Sequence, residues 1–284
     1  QSRHRTTAIT GRVAGLVGTV ILVIVIAASL YPPSGYAVQG DISANATIYL
    51  PLVLKASCSA DLPRINAPRF NGTIPFAQTA IAWFGKVSPT QNYTDIRVGY
   101  NASELYVYLA IFDRHLWYDE NPAPQTLTQW DAVTLLLDTS GGSALSSASW
   151  KIVAQLYGDR SPQRRAVYRG SATGWQATSI VFDAVPGWRG SALNDNRDTD
   201  RGWAMGFTIP FSSLGLSSAP ADGTAWRMAV IVHDRDTRAG PPIGDQFWPS
   251  QGSPDSPDCW GTLNFGLPSY QTSVTPTGSA IIRR

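Results

Sequence analysis

Cysteine is nearly absent from this sequence: Cys58 and Cys259 are the two it has. No Cys-x-x-Cys or Cys/His cluster exists, which excludes the common structural zinc sites and covalent haem attachment. The pair either closes a disulfide joining the start and end of a domain, as an oxidising compartment permits, or serves as two separate small core residues. Charge is also thin, at 15% of the chain. Lys and Arg total 22 against 20 acidic residues, and Arg3, Arg5 and Arg12 fall before residue 13. The remainder of the chain is close to neutral, so no basic face for nucleic acid is expected. Gly-x-Ser-x-Gly, His-Glu-x-x-His and phosphate-loop patterns are missing too. The expectation is a chain that is not an enzyme.

Helix formers are few, while Trp, Tyr, Gly and Pro number 10, 11, 25 and 20. That mixture favours short strands joined by many turns. Between residues 61 and 266 the alternation predicts strands at 81–87, 94–100, 105–112, 131–138, 150–156, 165–168, 175–182, 203–209, 226–233 and 262–265. A helical turn is expected at 211–214. The predicted fold is all-β, a two-sheet antiparallel β-sandwich. One strand is greasy on both faces. Leu105, Val107, Leu109 and Ile111 share one side, and Tyr106, Tyr108, Ala110 and Phe112 the other. The first side should pack between the sheets. The second either lines a concave groove, with Trp117 as a wall, or lies under the loop 113–129, with Trp117 as a plug.

Ahead of this domain, residues 13–31 read VAGLVGTVILVIVIAASLY, without a charge. As a helix this stretch roughly spans the hydrocarbon core, and Pro32-Pro33 ends it. The basic arm, residues 1–12, is expected in the cytoplasm by the positive-inside rule. Residues 32–60 form a tether and residues 267–284 a polar tail, so the sandwich would stand outside a cell membrane on a single-pass anchor. The competing reading is a cleaved signal peptide, with Gly35-Tyr36-Ala37 as its cleavage site.

Several motifs stand in a telling order. They are Asp95-Ile-Arg-Val-Gly-Tyr-Asn, Glu104-Leu-Tyr-Val-Tyr, Phe112-Asp113, Trp130-Asp-Ala-Val-Thr-Leu-Leu-Leu-Asp138, Gly202-Trp203, Ile209-Pro-Phe-Ser-Ser-Leu214 and Trp260-Gly-Thr-Leu-Asn-Phe265. Over about residues 65–266 the chain resembles the family 9 carbohydrate-binding modules and the wider DOMON-like superfamily. The resemblance implies a two-sheet sandwich with a ligand groove, in a class that includes sugar-binding modules and haem b proteins. One departure stands out: the family pattern Gly-Trp-x-x-Glu-x-x-Ile-Pro carries Gly206 here in place of the Glu.

Sugars are held by flat aromatic faces and planar polar groups. Trp203 runs in phase with Met205, Phe207 and Ile209, and Trp226 with Met228, Val230 and Val232, so both are expected in the core. The loop aromatics Trp117, Tyr118, Trp175, Trp188 and Trp248 are the candidate platform. Asp113, Arg114, Asn196, Arg197 and Asp236, with Asn194 and Gln246, are the candidate clamps. Asp195, Asp198 and Asp200 form an oxygen-rich loop that is a candidate calcium site, with a plain Asx-turn loop as the alternative. Haem would need Met205 or Met228 with Lys86 or Lys151, the Met and Lys ligation that the resemblance implies. The partners to weigh are therefore a glycan or the subunits of a larger membrane complex, respiratory or photosynthetic, for which the sandwich would act as a cap.

Overall fold

The computed structural model describes Cys58, residues 61–158 and residues 164–266. The predicted arm, span and tail lie outside the described residues, as does the tether apart from Cys58. Among the described residues no helix is long and apolar enough to cross a membrane.

The strands are β1 (Arg64–Ala67), β2 (Ala80–Phe84), β3 (Tyr93–Tyr100), β4 (Glu104–Phe112), β5 (Ala132–Asp138), β6 (Ser149–Gln155), β7 (Arg165–Ser171), β8 (Gly174–Thr178), β9 (Asp183–Trp188), β10 (Trp203–Pro210), β11 (Ala225–Asp234), β12 (Ile243–Trp248) and β13 (Gly261–Phe265). They form two sheets. The larger runs β1-β13-β11-β5-β6-β7-β8, with β12 also paired to β11; the smaller runs β2-β3-β4-β10-β9. Pairing is antiparallel except between β1 and β13. A 3₁₀ turn at Phe211–Leu214 stands where one was expected.

Three strands escaped the alternation reading. β9 contains Pro186 and Gly187, which break the pattern, and it survives because it is an edge strand paired to β10 alone. β1 is four residues long, and β12 carries Gly244 and Asp245.

The core fills the space between the sheets. Leu105, Val107, Leu109 and Ile111 enter it from β4, as predicted, with Trp203, Met205, Trp226 and Met228. β5 is buried along its whole length. Val133, Leu135 and Leu137 point to the main core, while Leu136 joins Ala229, Ile231 and Trp260 in a second cluster. The larger sheet is thus covered on both faces. Cys58 and Cys259 form a disulfide with Cα atoms 5.2 Å apart, so the first of the two readings holds. It links residues 201 positions apart and fixes the start of the described domain to its last loop.

Candidate functional site

The loops divide the two outer faces unequally. Over the larger sheet, the loop before β13 brings down Trp260, which is fully buried and donates its indole N–H to the Ser253 carbonyl at 2.7 Å. The loop before β5 reaches the same sheet, with the Leu127 carbonyl accepting from Gln155 at 3.4 Å. Over the smaller sheet the segment before β2 covers one end, where Phe70, Ile74 and Thr79 crowd Gly99, and leaves the rest of the face uncovered among the described residues. One row across its outer face, read in register, is Trp83, Asp95, Ala110, Ala204, Gly187; the next is Ile81, Arg97, Tyr108, Gly206, Val185. Large groups stand at the sides and small ones in the middle, so the face is concave. The resulting groove has a volume of about 460 Å³.

Its walls carry rings and planar charges. Phe76 meets Tyr108 edge-on, with ring centroids 4.9 Å apart. Tyr106 lies beside Tyr108, nearly parallel, at 6.4 Å. The Arg97 guanidinium sits 4.4 Å from the Phe76 ring centre and 3.3 Å from an Asp95 carboxylate oxygen. Asp95 Oδ1 and Arg97 Nε are buried and meet no hydrogen-bonding partner within the protein. Burial pushes the phenols of Tyr106 and Tyr108 above their usual 10, so both stay protonated donors. Trp188, Arg189 and Arg201 complete the rim, giving three guanidinium groups to one carboxylate. Gly202 closes one end. Its φ is +107°, and a Cβ there would lie 2.2 Å from the Ile111 carbonyl oxygen, so only glycine fits.

Gly206, the departure from the family pattern, belongs to this face. A Cβ there would meet Tyr108 at 3.5 Å and the Val185 carbonyl at 3.7 Å, which are ordinary contacts. A side chain would fit, and it would stand over the groove floor.

The sequence-predicted platform is dispersed. Trp188 does sit at the groove rim, 41% exposed. Trp248 is buried, its ring pressed against Gly261. Trp175 lies on the larger sheet, where its ring meets Lys151 at 5.1 Å and its N–H binds Asp255 at 2.8 Å. Trp117 and Tyr118 stand at the end of the sandwich and line a small cleft of about 140 Å³ with Trp130 and Asn194. The Trp117 indole donates to Asn196 at 2.6 Å, and Asn196 donates to the Asp236 carbonyl at 2.6 Å. Trp117 is therefore neither wall nor plug for the Tyr106/Tyr108 face; it pins one loop to two others.

The predicted clamps part in the same way. Asp113 and Arg114 line a neighbouring cleft of about 490 Å³ that shares Phe112, Arg189 and Arg201 with the groove. Arg197 is exposed and pairs with Asp195, two residues away. Asp200 is buried, and its carboxylate accepts from the backbone of Leu116 and Ser191. Asp198 is exposed. Asp195, Asp198 and Asp200 thus face different ways and form no oxygen cage. For the haem reading, Met205 and Met228 are fully buried between the sheets, while Lys151 lies over the Tyr168 ring on the far side of the larger sheet.

Sequence reasoning missed Phe76, Trp83, Asp95, Arg97, Arg189 and Arg201. The one signal was the second greasy face of β4, whose groove-lining alternative is the one found.

No family model and no curated protein matches the chain. Among solved structures, it is similar to a family 9 carbohydrate-binding module from Caldicellulosiruptor kristjanssonii in complex with cellotriose. That match has 15% identity and a TM-score of 0.49, over 76% of this chain and 100% of the other. A module of the same family and organism in complex with glucose matches at 16% identity and a TM-score of 0.47, over 74% and 99%. A protein from Bacteroides uniformis ATCC 8492, proposed to bind carbohydrate, matches at 12% identity and a TM-score of 0.51, over 72% and 99%. At such identity this last likeness establishes a shared fold and nothing finer: the described domain is an all-β sandwich of the kind that protein has.

Proposed function

We propose that the chain is a non-catalytic, carbohydrate-binding β-sandwich that holds a glycan on the outer face of its smaller sheet. It would be carried outside the cell membrane by residues 13–31. The observation that carries this reading is the groove itself. Phe76, Tyr108 and Trp188 offer apolar ring surface, and Asp95 and Arg97 bring buried, unpaired polar atoms to the same place. A buried polar atom without a partner is costly, and a sugar hydroxyl supplies that partner. Three arginines against one aspartate favour a saccharide bearing carboxylates over a neutral one.

Calorimetric titration of the full chain in detergent tests this, with neutral oligosaccharides in one arm and uronate-containing ones in the other. Binding of the uronate series, weakened in Arg97→Ala and lost in Tyr108→Ala, is expected. No binding of any saccharide at millimolar concentration would overturn it.

A second reading is favoured by a different observation. Ile81 and Val185 flank the groove and are 48% and 37% exposed, and Val87 and Val181 are 56% and 78% exposed. Aliphatic side chains give a sugar no ring to stack on, and exposed apolar patches often mark protein contacts. On this reading the sandwich caps a subunit of a membrane complex. It predicts a detergent-stable complex that Ile81→Asp or Val185→Asp dissociates; a chain that purifies only as a monomer contradicts it.

A further inference from the structure

The groove does not stop at its arginine rim. Phe112, Arg189 and Arg201 line it on one side and a cleft of about 490 Å³ on the other, where Val87, Arg114 and Thr199 continue the wall. Gly202, which ends the groove beside Phe112, adds no side chain to the divide. Phe112 stands on that divide, 57% exposed, with Tyr93 packed edge-on against its ring at 6.3 Å.

Backbone hydrogen bonds hold the three arginines in place. Arg189 follows β9 and Arg201 precedes β10. The Arg201 N–H donates to the Arg189 carbonyl at 2.8 Å, and the Arg189 N–H to the Gly202 carbonyl at 2.9 Å, so the two extend the β9–β10 ladder. Arg114 comes from the loop after β4, where its carbonyl accepts the Asp200 N–H at 2.9 Å. All three residues are exposed. Among the described residues none of their guanidinium groups has a hydrogen bond or ion pair. Arg235, by contrast, spends its guanidinium on the carbonyls of Gln129, Thr237 and Gly240. The acids of the cleft are not free to pair with them. Asp200 is buried, and its oxygens accept the backbone N–H groups of Ser191 and Leu116 at 2.9 and 3.3 Å. Asp113 is buried too. One of its oxygens accepts the His115 N–H at 3.1 Å, and burial, then repulsion from Asp234, pushes its carboxyl well above the ordinary carboxylate range. The cleft therefore shows cations to solvent and keeps its acids buried.

We propose that this second cleft is a carboxylate subsite, and that one acidic saccharide chain runs from the groove across Phe112 to Arg114. The inference rests on the glycan reading of the groove and deepens it: the ligand is a polyuronate long enough to span both clefts. The planar fork of a guanidinium matches a carboxylate with two parallel hydrogen bonds. Phe112 gives the sugar ring between the two clefts an apolar face. Arg189 and Arg201 border both clefts, so two separate ligands would draw on the same pair of cations. A single chain with carboxylates repeating along it meets Arg97, then Arg189 and Arg201, then Arg114. Once the groove is occupied, the second contact is intramolecular, and affinity rises with chain length until both clefts are filled.

The test is calorimetric titration of the full chain in detergent with uronate oligomers, a dimer against a hexamer. The hexamer is expected to bind about tenfold more tightly than the dimer, the gain from one added hydrogen-bonded charge pair. Arg114→Ala should bring the two affinities together. Arg114→Lys, which keeps the charge and loses the fork, should restore part of the difference. Arg64→Ala removes the same charge from an exposed position on β1, in the larger sheet, and should keep the whole difference. Equal binding of dimer and hexamer by the parent, a hexamer advantage that survives Arg114→Ala, or one that Arg64→Ala removes as fully would overturn the second subsite and leave the groove standing. Binding of no uronate oligomer of either length would instead overturn the groove reading, and this inference with it.

Discussion

The two outer faces of this sandwich differ more than their strands do. Both sheets carry aromatic and aliphatic residues outward. On the larger sheet these residues are roofed: Leu136 and Trp260 are fully buried, and Trp175 is occupied by Lys151 and Asp255. On the smaller sheet the segment before β2 covers only one end, and much of the rest is bare, with Trp83 65% exposed and Ile81 48% exposed. Loops decide the difference. The connections before β5 and β13 fold back over the larger sheet, while the tight turn Asn101–Glu104 between β3 and β4 leaves the smaller sheet open. An aromatic on an outer strand face is therefore core or site according to what a distant loop does.

Substitutions break this comparison in order of size. Trp260→Ala should cost about 3–5 kcal/mol of stability, as large core truncations do, and leave ligand affinity unchanged. Trp83→Ala should do the reverse, with stability altered by no more than about 0.5 kcal/mol. Chemical denaturation of both, beside saccharide titration, checks the pair. Reducing Cys58–Cys259 should cost about 2–5 kcal/mol, seen as a lower denaturation midpoint in dithiothreitol, because the bridge restrains a long loop in the unfolded chain.

Affinity effects come next. Arg97→Ala should weaken saccharide binding roughly tenfold to a hundredfold, the range for a hydrogen bond to a charged group. Gly206→Val sharpens the point. Its Cβ finds ordinary contacts, and β-branched residues suit strands, so the fold should hold or gain slightly while the groove loses its ligand. A variant that unfolds instead would show that the floor is packed and not open.

The smallest effect is the pH dependence of the end of the sandwich where Asp113, Asp131 and Asp234 lie buried near one another. Burial raises Asp234 from 3.8 to about 7 in the folded chain, so the folded state binds the proton more tightly than the unfolded one. The stabilising contribution is complete below about pH 4 and is lost as pH rises through about 7. Melting temperature should fall across that window, and Asp234→Asn should flatten the slope.

Much of the fold was legible because strand alternation is local. The phase of Trp203 with Met205 and Phe207, and of Trp226 with Met228, placed both indoles correctly in the core. The site was legible only as a doubt about β4. Arg97 reads as one charge in an alternating strand, and nothing near it reports that Phe76 will sit 4.4 Å away. Loop position also misled for Trp117 and Trp248, since an indole in a loop can clasp another loop as readily as it can face solvent. The Asp113–Asp234 juxtaposition depends on β4 and β11 ending at the same end of the sandwich, a long-range fact with no sequence signature. Ligand oxygens in the run 194–200 looked dense, but Leu116, Trp117 and Tyr118 from a distant loop take up those of Asp200, Asn196 and Asn194, and Arg197 those of Asp195.

The most direct measurement of the central claim is a saccharide titration of three full-length chains: the parent, Tyr108→Ala on the bare sheet and Trp175→Ala on the roofed one. Tyr108→Ala is expected to abolish binding, and Trp175→Ala to match the parent. Binding that survives Tyr108→Ala and disappears in Trp175→Ala would place the ligand on the opposite face and contradict the claim.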